Sequence, residues 1–336
     1  MAKSTTKSQA KTKTTKKPAA KKPAAKKNVS AKAVNKQTKT VVKDTSKKAA
    51  TVKKKAKPSV GQAVKKPVSQ LASADKSVNK KGSSLVQIKR LHIFSAAVFV
   101  LLAVGALLLA KAQSYQVTLS HMAQNELASV DATVFAPAIQ PVADVDVRII
   151  VVGMLAFSAA LSLWRVLRRW AKEQAGLAMH VLGLRWFDLA ITGALMVYVV
   201  GLMAGITDLA LLKALGLLLG VGAIFAWFAE RNNVALVKQT WTAFWASVLS
   251  RVAVYALVAV SIAMTSIFGG VRYPWFVYAL FAVLAVSGVL SVCNQRRQIK
   301  GAGKWADYMY VEKNYLTISL LTKVAFAAIF IAGIAA

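Results

Sequence analysis

Seven stretches of this chain stay apolar for about 20 residues each, long enough to cross the ~30 Å hydrocarbon core of a bilayer. They lie near 91–112, 148–166, 181–206, 209–229, 241–266, 274–294 and 315–335. Inside lipid every backbone N–H and C=O must be satisfied within the protein, which leaves helices as the solution for such segments. The pattern predicts an all-α membrane protein, a seven-transmembrane-helix bundle over residues 88–336. The third span is expected to begin earlier, near Gln174, as an interfacial helix.

Charge divides the chain in two. The formal net charge is +33, and residues 1–90 alone hold 27 Lys+Arg against Asp44 and Asp75. Runs such as TKKPAAKKPAAKK (15–27) and TVKKKAKP (51–58) offer almost nothing apolar to offset the entropy of ordering a chain. Residues 1–87 are therefore expected to be a disordered polybasic tail. Three uses suit it: a solvated leader, adsorption to an anionic lipid leaflet, or sequence-blind binding of nucleic acid through phosphate neutralisation. The tail has no interleaved aromatics for base stacking, which disfavours specific single-strand recognition. The start lacks the pattern of a secretory signal peptide. The sole cysteine, Cys293, excludes a disulfide framework and a Cys-based metal site.

Loop charges alternate. Arg165, Arg168, Arg169 and Lys172 follow the second span; Arg231 and Lys238 follow the fourth; Arg296, Arg297, Lys300, Lys304 and Lys313 follow the sixth. On the other side, residues 113–147 carry Glu126, Asp131, Asp144 and Asp146 and no Lys or Arg. The positive-inside rule then predicts a multi-pass protein of the cell membrane, N-terminus cytoplasmic and C-terminus extracellular. The long first outer loop contains SYQVTLS (114–120) and ATVFAPA (132–138), which read either as a β-ribbon or as irregular solvated chain.

Lys323 stands alone in LTISLLTKVAFAAIFIAGIAA (316–336), with no other charge from Leu316 onward. An ammonium at bilayer depth is costly and marks a functional site when a partner can be named. Asp188 is read as the only carboxylate well inside another span. A buried lysine and a buried acid fit a protonated Schiff base with its counterion. Arg185 lies three residues before Asp188, on the same helical face, and is expected to hold it ionised. Ser319, one turn before Lys323, is placed to donate a hydrogen bond to the counterion. The plainer readings are a lysine that snorkels to the outer interface and an Asp188–Arg185 bridge of structural use only.

LRWFDLAITGALMVYVVGLMAGITDLALL (184–212), FVYA (276–279) and GAGKWADYMYVEKNYLTISLLTK (301–323) resemble the heliorhodopsins, relatives of the microbial rhodopsins with inverted topology. The resemblance covers roughly residues 88–336. It implies all-trans retinal bound covalently to Lys323, Asp188 as counterion and Ser319 completing its hydrogen bonds. It also implies light-driven signalling without ion pumping, an unidentified cytoplasmic signalling partner, and a homodimer with the first outer loop near its interface.

Several positions depart from the family pattern. Asp188 replaces the usual Glu and is one methylene shorter, which alters the distance to the Schiff base and thereby the colour and its pH dependence. Cavity histidines found on the first two helices of some members correspond to Ala96 and Ser162. AVLAVSGVLSV (282–292) has no aromatic where rhodopsins pack one against the polyene, so Gly288 is expected to leave a gap. Arg251, within the fifth span, is unexplained unless it approaches the cytoplasmic boundary.

Other functions fit less well. A proton pump needs further carboxylates on its path, and Val199 and Ser319 stand where outward pumps carry acids. A channel or transporter would show broken helices or several buried polar groups. His92, His121 and His180 read as interfacial residues, which leaves no basis for an enzyme. The rival from another class is a non-photochemical membrane scaffold that tethers nucleic acid or a partner through its tail.

Overall fold

The computed structural model describes residues 68–124, 135–234, 239–270 and 272–335. Eight helices stand among these residues, and seven of them are long and apolar enough to cross a membrane. They are α1 (Val68–Leu109), α2 (Val147–Leu167), α4 (Gly183–Met203), α5 (Leu209–Val234), α6 (Thr242–Phe268), α7 (Trp275–Lys300) and α8 (Tyr308–Ala335). Each packs beside its neighbour, and α8 returns to α1, so the seven close into a ring. The predicted seven-helix bundle is the fold.

The boundaries differ where lipid alone does not set them. Helix α1 is already helical at Val68, inside the segment expected as tail; residues 1–67 lie outside the described residues. The interfacial helix is separate: α3 spans Trp170–Ala178. It ends where the Val181 N–H donates to the Gly176 carbonyl (3.0 Å) and His180 adopts φ 58°. A Cβ on Gly176 would lie 2.8 Å from Leu182 Cδ2, so the reversal needs glycine there. A new helix, long and apolar enough to span a bilayer, thus starts afresh at Gly183.

The long loop between the first two spans, expected on the outer side, is a ribbon. Strands β1 (Ser114–Gln124) and β2 (Phe135–Asp146) pair antiparallel from Ser114↔Asp146, with an irregularity between Val117 and Thr118. Asp146 then caps α2, accepting from the Arg148 N–H at 2.9 Å. The ribbon is tied down by the turn between α4 and α5. The Thr118 N–H donates to the Thr207 carbonyl (2.9 Å), and Asp208 accepts from the Ser120 N–H (3.1 Å) and the Leu211 N–H (2.8 Å). These bonds, Leu211 first, hold the Asp208 carboxyl below its ordinary range. A group so depressed stabilises the fold above its unfolded pKa, and that contribution is lost as pH falls through the folded one. Asp208→Ala should therefore speed hydrogen exchange at Ser120 at neutral pH. Acid that takes the wild type below the ordinary carboxylate range should likewise lower the protection factor of that amide, once the slower intrinsic exchange at low pH is divided out. Unchanged protection in both would show that the clamp carries no load.

In lipid, association of helices depends on packing more than on removal of water, and small residues let backbones approach. Ala103, Ala106, Ala159 and Ala327 supply small residues in the buried centre, beside larger ones such as Val151, Leu155, Val197, Leu215, Leu280 and Phe330. This packing leaves a cavity, lined mainly by α4, α6, α7 and α8, that reaches both Asp188 and Lys323.

Candidate functional site

Helix α8 carries Lys323 at mid-depth, and only 3% of the residue is exposed. Its Nζ donates to Asp188 Oδ2 at 2.8 Å and Oδ1 at 3.1 Å, across from α4. The ammonium also lies 5.3 Å from the centre of the Phe99 ring. Lys323 does not snorkel; it spans the bundle to its acid. Helix α4 keeps the acid in place by regular geometry, with the Thr192 hydroxyl donating back to the Asp188 carbonyl (2.7 Å).

Ser319 lines the same cavity, as its spacing of one turn from Lys323 requires. Among the described residues it makes no hydrogen bond to Asp188, whose two oxygens both face Lys323. Ala96 is buried in α1, and Ser162 is half-buried in α2.

Arg185 is corrected. It forms no ion pair with Asp188. Its Nη2 donates to Glu230 Oε1 (2.6 Å) in α5, and its Nη1 makes a short contact with Glu312 Oε2 in α8. Long helical side chains point back toward the N-terminus, so one turn before Asp188 the guanidinium reaches the opposite way from it. There the end of α5 and the start of α8 converge. Glu230 is saturated, accepting also from Trp186 Nε1 (2.6 Å), Gln298 Nε2 (3.0 Å) and the Tyr308 hydroxyl (2.5 Å). The Arg185 guanidinium stacks 4.0 Å from the Tyr315 ring centre.

Asp188 is thus not the only carboxylate inside a span. Glu230 and Glu312 were missed because the apolar windows stop at 229 and begin at 315, whereas α5 runs to Val234 and α8 starts at Tyr308. Glu312 did leave a trace: it lies 11 residues, three turns, before Lys323 and so shares its face. A further buried pair, Arg165 and Glu173 at 3.9 Å, joins α2 to α3. Burial raises the Glu173 carboxyl, and Arg165 opposes that shift.

The histidines divide. His121 is exposed on β1, and His180 stacks on Tyr308 at the turn into α4. His92 is no interfacial residue: it is 1% exposed, and neither ring nitrogen has a partner among the described residues. Because α1 extends back far beyond 91, His92 sits inside a helix and not at its end.

The cavity wall also differs from expectation at Gly288. Tyr255 of α6 fills the place, since a Cβ on Gly288 would lie 2.7 Å from its ring. An aromatic therefore does line this wall, contributed by the neighbouring helix. Met196, Leu219 and Leu284 complete an apolar sleeve that leads away from the Lys323–Asp188 pair. An amine, a facing carboxylate and an apolar sleeve suit a long apolar aldehyde. Among the described residues no cluster of three His, Cys, Asp or Glu side chains is placed to hold a metal ion.

Compared with known proteins, residues 88–334 match the family model described as Heliorhodopsin. No curated protein matches the chain.

Proposed function

Because this chain belongs to the heliorhodopsin family, light-sensing seven-helix membrane proteins of the microbial rhodopsin kind, we propose that Lys323 holds all-trans retinal as a protonated Schiff base with Asp188 as its counterion. The observation that carries this reading is the contact of Lys323 Nζ with both Asp188 oxygens at the head of an apolar sleeve. Bound retinal supplies absorption of light and isomerisation. The chain's residues do the rest. Asp188 keeps the nitrogen charged in a poorly solvated place, where an opposite charge within a few ångströms outweighs the cost of burial. Ser319 is within one turn to donate to an Asp188 oxygen once the nitrogen needs only one. Tyr255, Met196, Leu219 and Leu284 confine the chain of the ligand and exclude water. Arg185 acts elsewhere, locking α4 to α5 and α8 at the positively charged end of the bundle.

The alternating loop charges support an N-terminus in the cytoplasm. The role is signalling, with no pumping and no enzymatic step: Glu230 and Glu312, which a proton path would need free, are tied to Arg185. The partner is a cytoplasmic component that meets the Arg- and Lys-rich face, and the functional unit is a homodimer with the outer ribbon near its interface. The Lys-rich tail binds anionic membrane lipid or nucleic acid through charge alone. Deleting residues 1–67 should abolish any salt-sensitive binding to DNA or to anionic vesicles and leave the visible spectrum unchanged.

The deciding experiment is chemical. The full chain is mixed with all-trans retinal, reduced with borohydride and digested, and the adduct is located by mass spectrometry. The expected adduct is on the peptide bearing Lys323 and absent in Lys323→Ala. No adduct, or one on a tail lysine, would sink the reading and leave the scaffold interpretation standing.

A further inference from the structure

Among the described residues four cations are buried inside this bundle, and three of them have carboxylates: Lys323 with Asp188, Arg185 with Glu230 and Glu312, and Arg165 with Glu173. Arg251 is the fourth. It lies nine residues into α6, is 4% exposed and lines the central cavity. Among the described residues it has no ion pair and no hydrogen bond, and its Nη2 is buried without a partner. The phenols Tyr255 and Tyr315 line the same cavity, and among the described residues no carboxylate is within ion-pair distance of the guanidinium. The Tyr315 hydroxyl faces the same cavity and is likewise buried and unpartnered.

An arginine does not escape burial by losing its proton, because its pKa is too high. A guanidinium without an opposite charge in a poorly solvated interior is strongly destabilising, and water hydrates such a charge without neutralising it. Here a permanent cation and a free hydroxyl donor border one cavity, and among the described residues no carboxylate pairs with the cation. We propose that the Arg251–Tyr315 end of the cavity binds a small monovalent inorganic anion of the chloride class. The guanidinium donates to the anion from α6 and the Tyr315 hydroxyl from α8, which links the two helices.

The competing account is balance at a distance. The Arg185–Glu230–Glu312 cluster carries one excess negative charge on the other side of the Tyr315 ring. That excess would offset Arg251 without any bound ion. The two accounts differ in their dependence on halide.

The test uses the full chain without retinal, so failure of the retinal reading leaves it intact. Protein in gluconate, an anion too large for the site, is titrated with bromide while thermal unfolding is followed. A ligand that binds only the folded state raises the midpoint with the logarithm of its concentration. The expected result is such a rise, retained in Arg251→Lys and lost in Arg251→Gln. If Arg251→Gln does not fold, wild-type crystals soaked in bromide decide by anomalous scattering: a peak between Arg251 and Tyr315 is expected. No rise in the folded wild type, an equal rise in Arg251→Gln, or no peak at that position would overturn the proposal. So would a wild type indifferent to bromide beside a bromide-dependent Glu312→Gln, which would assign the balancing charge to Glu312.

Discussion

Replacing Asp188 by Asn should move the visible band of the retinal-loaded protein to longer wavelength and lower the pH at which that band bleaches by several units. Asp188 touches Lys323 Nζ through both oxygens, at 2.8 and 3.1 Å, and no second carboxylate contacts that nitrogen among the described residues. An opposite charge within about 4–6 Å favours the charged form of a group, and burial disfavours it. Asn keeps the shape and removes the charge, so only the burial penalty remains. The nitrogen then loses its proton at lower pH, and the cation that survives has lost the anion localising its charge. Absorption spectra recorded across pH measure both effects. A band that keeps its position and its bleaching pH would show that Asp188 is not the counterion, whatever its distance in the retinal-free protein.

The second large effect belongs to Arg185 and concerns stability more than colour. Removing one partner of a buried ion pair leaves an uncompensated charge, at a cost of about 3–5 kcal/mol. Arg185→Gln strands two carboxylates at once, one of them (Glu312) fully buried. The unfolding midpoint should fall sharply, while Glu312→Gln, which leaves the Glu230 pair intact, should cost less. A double substitution of Arg185→Gln with Glu312→Gln should recover part of the loss, because one stranded charge disappears. The band of whatever folds should shift little. A large band shift with unchanged stability would restore Arg185 to the role of Asp188's charge partner.

That pair of outcomes marks where sequence reasoning reached its limit. Lys323 and Asp188 could be found because each interrupts an apolar run, and a charge there is conspicuous at any register. Their contact was a reasonable guess, since two lone opposite charges within lipid have few alternatives. Arg185 was misassigned because helical spacing places it on the face of Asp188 but says nothing of which way its long side chain extends. His92 was misread through its neighbours: an apolar window opening at 91 put it at a helix end, whereas the helix continues to Val68. Gly288 suggested a gap because a single helix was considered, and the ring that fills it comes from Tyr255 on another. The ribbon was one of two open readings, and its anchorage to Thr207 and Asp208 could not be foreseen, since those residues lie 89 and 88 positions from their partners.

By itself the sequence determined the number of spans, the alternation of loop charge, the polybasic character of the first residues, and the two side chains that a bilayer would not tolerate unpaired. Each of these is a local quantity, because lipid exacts the cost of hydrophobicity and charge residue by residue whatever the neighbours are. Only the tertiary structure decided which charges satisfy which. Arg185 meets Glu230 across 45 residues and Glu312 across 127, Tyr255 enters the space over Gly288, and Arg251 pairs with no carboxylate among the described residues. Such pairings depend on helix rotation and on side-chain direction at the points where helices meet. Those quantities are set by the packing of the whole ring and by no single segment of it.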